Sequence, residues 1–139
     1  DNILAQQKLM HKRFQKQIEV NPKEIAITSV VEQFLEDALA VVEKNIADPD
    51  FSVESFSQAL FMNRVTLYRK LLTLTGKTPI DFLRTIRLKK AALLLSKSGK
   101  SVAEVAYETG FNNPKNFTKQ FKEEFNVLPS QYNKPAKGD

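Results

Sequence analysis

Cysteine is absent from the 139 residues, and histidine occurs once, at His11. Without cysteine there is no disulfide framework and no thiolate metal site, which fits a reducing compartment. A lone histidine, with no cluster of acids and bases sharing a helix face, offers neither a catalytic centre nor a metal centre. No enzyme activity, cofactor or metal is therefore expected of this chain, and His11 reads as a surface residue. No apolar run approaches the ~18 residues needed to span a bilayer, and no signal peptide is visible. A cytoplasmic domain is expected, any membrane anchor being left to the full-length protein. The chain begins with Asp1 rather than Met, as expected of a fragment or a processed product.

Acids are scarce in one part of the chain and bases in another. Residues 63–100 hold ten bases and a single acid, Asp81, whereas residues 28–62 hold seven acids and a single base, Lys44. The whole chain carries +5 with a pI near 9.4. A basic block inside a folded pattern points to a polyanion partner. The plainer alternative is a solvated helix face. Hydrophobic content of 42% and charged content of 27% are those of a globular protein, long enough for one domain with a core or a small domain plus an appendage.

What is present centres on the stretch from Thr78 to Lys100. Ile80, Leu83, Ile86, Ala91, Leu94 and Leu95 recur at helical spacing, and Arg84, Arg87, Lys89, Lys90 and Lys97 occupy the remainder. Thr78-Pro79 is a start signal and Ser98-Gly99 a stop signal. This predicts one long amphipathic helix over about residues 78–98.

Before it, Ile3, Met10, Phe14 and Ile18 lie near heptad spacing, which predicts a short tether helix. Val20-Asn21-Pro22 breaks it, and residues 19–27 read as irregular linker. A second helix is predicted from Thr28 or Ser29, with Glu32 completing a capping box on Ser29. Its buried stripe is Val31, Phe34, Leu35, Ala38, Leu39, Val42 and Ile46, and it ends before Asp48-Pro49-Asp50. Residues 52–76 divide into a helix capped by Ser52, a turn near Phe61–Asn63, and a helix ending at Gly76. Two short helices joined by such a turn form a helix-turn-helix. No strand pattern is convincing, so the fold class is all-α.

The region after the long helix repeats the region before it. Ser101-Val102 matches Ser52-Val53 at an offset of 49, while Phe117, Phe121, Pro129 and Tyr132 match Leu67, Leu71, Pro79 and Phe82 at an offset of 50. The extra residue falls in the turn. Two copies of one supersecondary unit, at about residues 52–76 and 101–126, weigh more than one isolated pattern. In the second copy Lys115, Lys119 and Lys122 fall within roughly 60° of one another at 100° per residue, opposite Phe117, Phe121 and Phe125. In the first, Leu67 and Leu71 anchor while Arg64, Val65, Tyr68 and Arg69 project outward. The aromatic stripe is core, and the outward bases face a partner.

Several motifs then resemble the DNA-binding domain of AraC/XylS-type transcription regulators across about residues 30–133. They are Gly76-x-x-Pro79-x-x-Phe82, Arg87-Leu88-x-x-Ala91-x-x-Leu94-Leu95, Ala106-Tyr107-x-x-Gly110-Phe111, Phe117-x-x-x-Phe121-Lys122 and Pro129-Ser130-x-Tyr132. The resemblance implies a seven-helix bundle in which two helix-turn-helix units flank a long linker helix, here with the N-terminal tether helix added. It also implies base reading by Arg64, Val65, Tyr68 and Arg69 in one unit and by Asn113, Lys115, Asn116 and Lys119 in the other. Phosphate contacts are expected from Ser52, Thr66, Thr78, Ser101 and Lys122. Three positions depart from the family pattern or bear on its turns. Phe61 stands where a turn glycine is frequent, so that turn is expected to need a less common backbone geometry. Asn126 replaces another frequent glycine but tolerates left-handed geometry, and Pro114 opens a helix, where proline is acceptable.

Residues 18–56 further resemble the segment joining a receiver to such a domain in hybrid two-component regulators. That makes residues 1–27 a tether from an upstream receiver or sensor domain, residues 28–133 the DNA-binding domain and residues 134–139 a tail. Phosphorylation would be the input and carbohydrate-utilisation genes the targets. Double-stranded DNA, RNA polymerase and a second copy of the full-length chain are the expected partners, and that full-length chain could carry a histidine kinase. The alternatives are a small-molecule effector domain upstream, or a helical protein-interaction module.

Overall fold

The computed structural model describes residues 22–133, with side chains from residue 28 onward. The described residues form seven helices and no strand: α1 (Pro22–Lys44), α2 (Val53–Ala59), α3 (Arg64–Thr75), α4 (Pro79–Lys97), α5 (Val102–Glu108), α6 (Pro114–Phe125) and α7 (Pro129–Tyr132). The expected tether helix over residues 1–18 and the tail lie outside the described residues.

Local chemistry explains most of these boundaries. Ser52, Asn63, Thr78 and Ser101 each accept a backbone N–H from the first turn of the helix that follows, at 2.8–3.2 Å. Ser101 and Glu104 form a reciprocal capping box, Glu104 Oε1 accepting from the Ser101 N–H at 2.9 Å. Gly76 and Asn126 end α3 and α6 in the left-handed conformation, φ 76° and 64°. Asn126 therefore does the work of the absent glycine. The start of α1 differs from expectation. The helix begins at Pro22, and Ser29 is an exposed residue within it rather than its cap. Pro22 marks a first helical residue, where its missing N–H costs nothing, and no residue between it and Ser29 interrupts the helix.

Two aromatic-rich cores lie along α4. Ala38, Val42, Phe51, Phe56, Leu67, Leu71, Phe82, Leu83 and Ile86 make the first. Leu88, Ala91, Leu95, Val105, Ala106, Phe111, Phe117 and Phe121 make the second. Leu88, Ala91 and Leu95 all belong to the second core and none to the first. The N-terminal half of α4 serves the first unit and its C-terminal half the second, with Arg87 at the changeover. Ile80, expected inward, is 60% exposed, because at 100° per residue it lies about 120–160° around α4 from Phe82 and Ile86 of the first core, on the side that only the second core covers further along. Phe117 and Phe121 are fully buried, with ring centroids 5.6 Å apart, and Tyr132 of α7 meets Phe121 edge-on at 5.2 Å. Truncating either phenylalanine would cost about 3–5 kcal/mol.

Candidate nucleic-acid interface

The anchoring of α3 and α6 determines what each helix presents. Leu67 and Leu71 bury one side of α3, so Arg64, Val65, Tyr68 and Arg69 all lie exposed on the other. Lys70 places its ammonium 5.3 Å from the Phe34 ring centroid, a cation–π contact that ties α3 to α1. On α6, Phe117 and Phe121 face the core, and Lys115, Asn116, Lys119 and Lys122 are exposed. Exposed cations spaced along two helices create the positive surface that a phosphate backbone requires.

Two hollows adjoin these helices. One, of about 710 Å³, is lined by Val53, Arg64, Val65, Tyr68, Thr78, Pro79 and Ile80. It brings four predicted residues together, namely Arg64, Val65, Tyr68 and Thr78, beside an apolar strip suited to methyl contacts. The other, of about 400 Å³, lies between the two units and includes Ser52 and Asn116 among the predicted residues. Neither hollow is lined by Thr66, Arg69, Ser101, Asn113, Lys115, Lys119 or Lys122.

Several predicted residues carry structural duties that limit what they can offer. The Asn113 Oδ1 accepts from the Lys115 and Asn116 N–H groups at 2.8 and 3.2 Å, which leaves its amide NH2 for a ligand. Asn63 holds the equivalent cap on α3 and was not singled out from the sequence. Its position one residue before α3, matching Asn113 before α6, was the available signal. Ser52, Thr78 and Ser101 each use one lone pair in capping. The Thr78 and Ser101 hydroxyls keep a proton to donate to an anion, while the Ser52 hydroxyl also shares a hydrogen bond with the Ser55 hydroxyl at 3.1 Å. Arg64 lies 3.9 Å from Glu54, an exposed pair of little energetic weight that a ligand can displace.

Arg84, Asn112 and Gln120 line the inter-unit hollow and were not picked out as binding residues. Arg84 pairs with Asp81 one turn earlier in α4. Arg87, grouped with the surface bases by its spacing, is instead half-buried, and its Nη2 donates to the Asp48 carbonyl at 2.8 Å. Loss of solvent holds its pKa below the ordinary arginine value, partly opposed by the Asp48 charge.

With this arrangement of paired, outward-facing helices, the family follows from comparison. A family model described as a helix-turn-helix domain matches residues 56–135. The chain belongs to the AraC/XylS-type helix-turn-helix family. Members are DNA-binding transcription regulators, and the partner of this domain is double-stranded DNA. Histidine kinase P4 of Formosa agariphila is 40% identical over 131 residues, covering 94% of this chain and 10% of that protein. The chain thus spans about a tenth of that curated relative's length. The C-terminal domain of AraT, a response regulator from Geobacillus stearothermophilus, is 30% identical with a TM-score of 0.64, over 71% of this chain and 82% of that one. The DNA-binding domain of AdpA, solved in complex with a target DNA, is 33% identical with a TM-score of 0.61, over 69% and 89%. Among the described residues, no helix is long and apolar enough to cross a membrane.

Proposed function

We propose that this AraC/XylS-type regulator is the cytoplasmic output domain of a two-component signalling protein, and that it sets α3 and α6 into adjacent major grooves on one face of the duplex. The carrying observation is the equivalent placement of two exposed basic helices on either half of one unbroken helix. The 19 residues of α4 rise about 28 Å at 1.5 Å each, the scale of the ~34 Å between successive major grooves. Arg64, Val65, Tyr68 and Arg69 read bases in one groove, and Asn113, Lys115, Asn116 and Lys119 in the next. Ser52, Thr66, Thr78, Ser101 and Lys122 hold phosphates.

The likeness to histidine kinase P4 and to the AraT output domain supports an upstream receiver and phosphorylation as the input. In the full-length protein, dimerisation places two copies on one operator, RNA polymerase is the downstream partner, and carbohydrate-utilisation genes are the targets. Selection of bound sites from a random DNA pool, followed by footprinting, tests the reading. Protection of two successive grooves per monomer is expected, with a steep fall of log K against log salt. Protection of one groove overturns the bipartite reading, and a flat salt plot overturns DNA as the partner.

A further inference from the structure

The extended helix packing between the two units passes through α4, which contacts α1 and α3 on one side and α5, α6 and α7 on the other. The pitch of one reading helix relative to the other therefore depends on what steadies the units at the middle of α4. Arg87 stands there, at the point where α4 passes from the first core to the second. Its guanidinium bonds the Asp48 carbonyl in the loop after α1. Its Nε is buried and without a hydrogen-bond partner, directed at the second unit's turn. In that turn Gly110 has φ 88°, and a Cβ added to it would lie 2.8 Å from Arg87 Nε and 2.4 Å from the Ile46 carbonyl oxygen. Only a residue without a side chain lets the second unit's turn close on the first unit's loop at this distance.

We infer that Arg87 and Gly110 form an inter-unit lock that sets the angle and spacing of the two DNA-reading helices, making both positioning residues for bipartite recognition. The inference rests on the two-groove reading proposed above. Arg87 serves as a three-way joint, with its backbone in α4, its guanidinium on the first unit's loop and its flank against the second unit's turn. The planar, forked head suits this role better than an ammonium, because it fills the gap as well as donating. Gly110 supplies the close approach. Neither residue needs to touch a base to affect which half-site spacing the protein accepts.

The absence of cysteine allows a direct test on the chain itself. Spin labels at Ala59→Cys and Glu123→Cys report the distance between units without DNA. The wild-type pair should give one narrow distribution, and adding Arg87→Ala or Gly110→Ala should broaden or shift it, with Arg87→Lys intermediate. In parallel, duplexes carrying the selected half-sites at spacings varied one base pair at a time should show a sharp optimum for wild type. The variants should hold each single half-site within about threefold while losing on the order of tenfold or more at the optimal spacing, as expected when linkage geometry degrades. Unchanged distance distributions overturn the lock. So does an equal loss at single and paired half-sites, which would mark Arg87 as a phosphate or folding residue. A wild type indifferent to spacing overturns the two-groove reading instead, while the distance measurement still reports on the joint.

Discussion

Phe61 and Gly110 occupy the same place in the two helix-turn-helix turns, and both adopt left-handed backbone, φ 58° and 88°. In each turn the next residue donates its N–H five residues back, Met62 to Ser57 at 3.1 Å and Phe111 to Ala106 at 2.9 Å. The turn geometry is therefore the same with or without glycine. The surroundings are not, since Gly110 is buried against the other unit and Phe61 is 96% exposed. Phe61 carries the strain of a left-handed side chain with no packing to offset it.

That difference sets the first prediction. Phe61→Gly should stabilise the domain by about 1 kcal/mol, the left-handed penalty less the extra unfolded-state freedom of glycine. Thermal denaturation should show a midpoint raised by several degrees. A lowered midpoint would mean that the ring packs in a way the exposed geometry does not reveal.

Arg69 is exposed on α3 and is the first choice for guanine recognition. Arg69→Ala should weaken binding to the selected operator by ~1–3 kcal/mol while leaving random duplex nearly unaffected. Anisotropy titrations against both duplexes decide it, and equal losses would reassign Arg69 to the backbone.

Lys122 is exposed in the last turn of α6 and is proposed above to hold a phosphate. Lys122→Ala should weaken all sequences alike and reduce the slope of log K against log salt by about 1. An unchanged slope removes that contact.

Continuity of α4 is required if the two readers act in phase. Lys89→Pro removes a backbone hydrogen bond just past the changeover between cores. Tight operator binding should be lost while each half-site is still recognised. Normal operator affinity in a folded variant would defeat the rigid-spacer account.

Glu104 supplies a pH dependence whose sign follows from its cap. Hydrogen bonds from Ser101 hold its carboxyl below the ordinary value of 4.5, with nearby Lys100 acting in the same direction. The folded pKa lies below the unfolded one, so this stabilisation is present above about 4.5 and is lost as pH falls through the lower folded value. Glu104→Gln should therefore lower the melting temperature more at pH 6 than at pH 3. A constant difference would leave the carboxylate charge without a role.

Much of this molecule follows from short-range chemistry. The two helix-turn-helix units, the caps at Ser52, Thr78 and Ser101, and the outward bases of α3 and α6 are legible because a helix repeats every 3.6 residues and its caps lie within a turn. The start of α1 was misplaced because Ser29 and Glu32 have the spacing of a capping box, and a box inside a helix looks the same on paper. Ile80 was misplaced because periodicity reports a face and cannot say whether a neighbour covers it.

Local sequence patterns determined an all-α fold with a duplicated helix-turn-helix and which residues of α3 and α6 face away from each core. Only the tertiary structure decided that α4 divides its apolar side between two cores, that Arg87 leaves the charged surface for the joint between units, and that Gly110 admits the close approach of Ile46. Those depend on contacts such as Phe56–Phe82, Arg87–Asp48 and Gly110–Ile46, about 25 to 65 positions apart, which local periodicity does not encode.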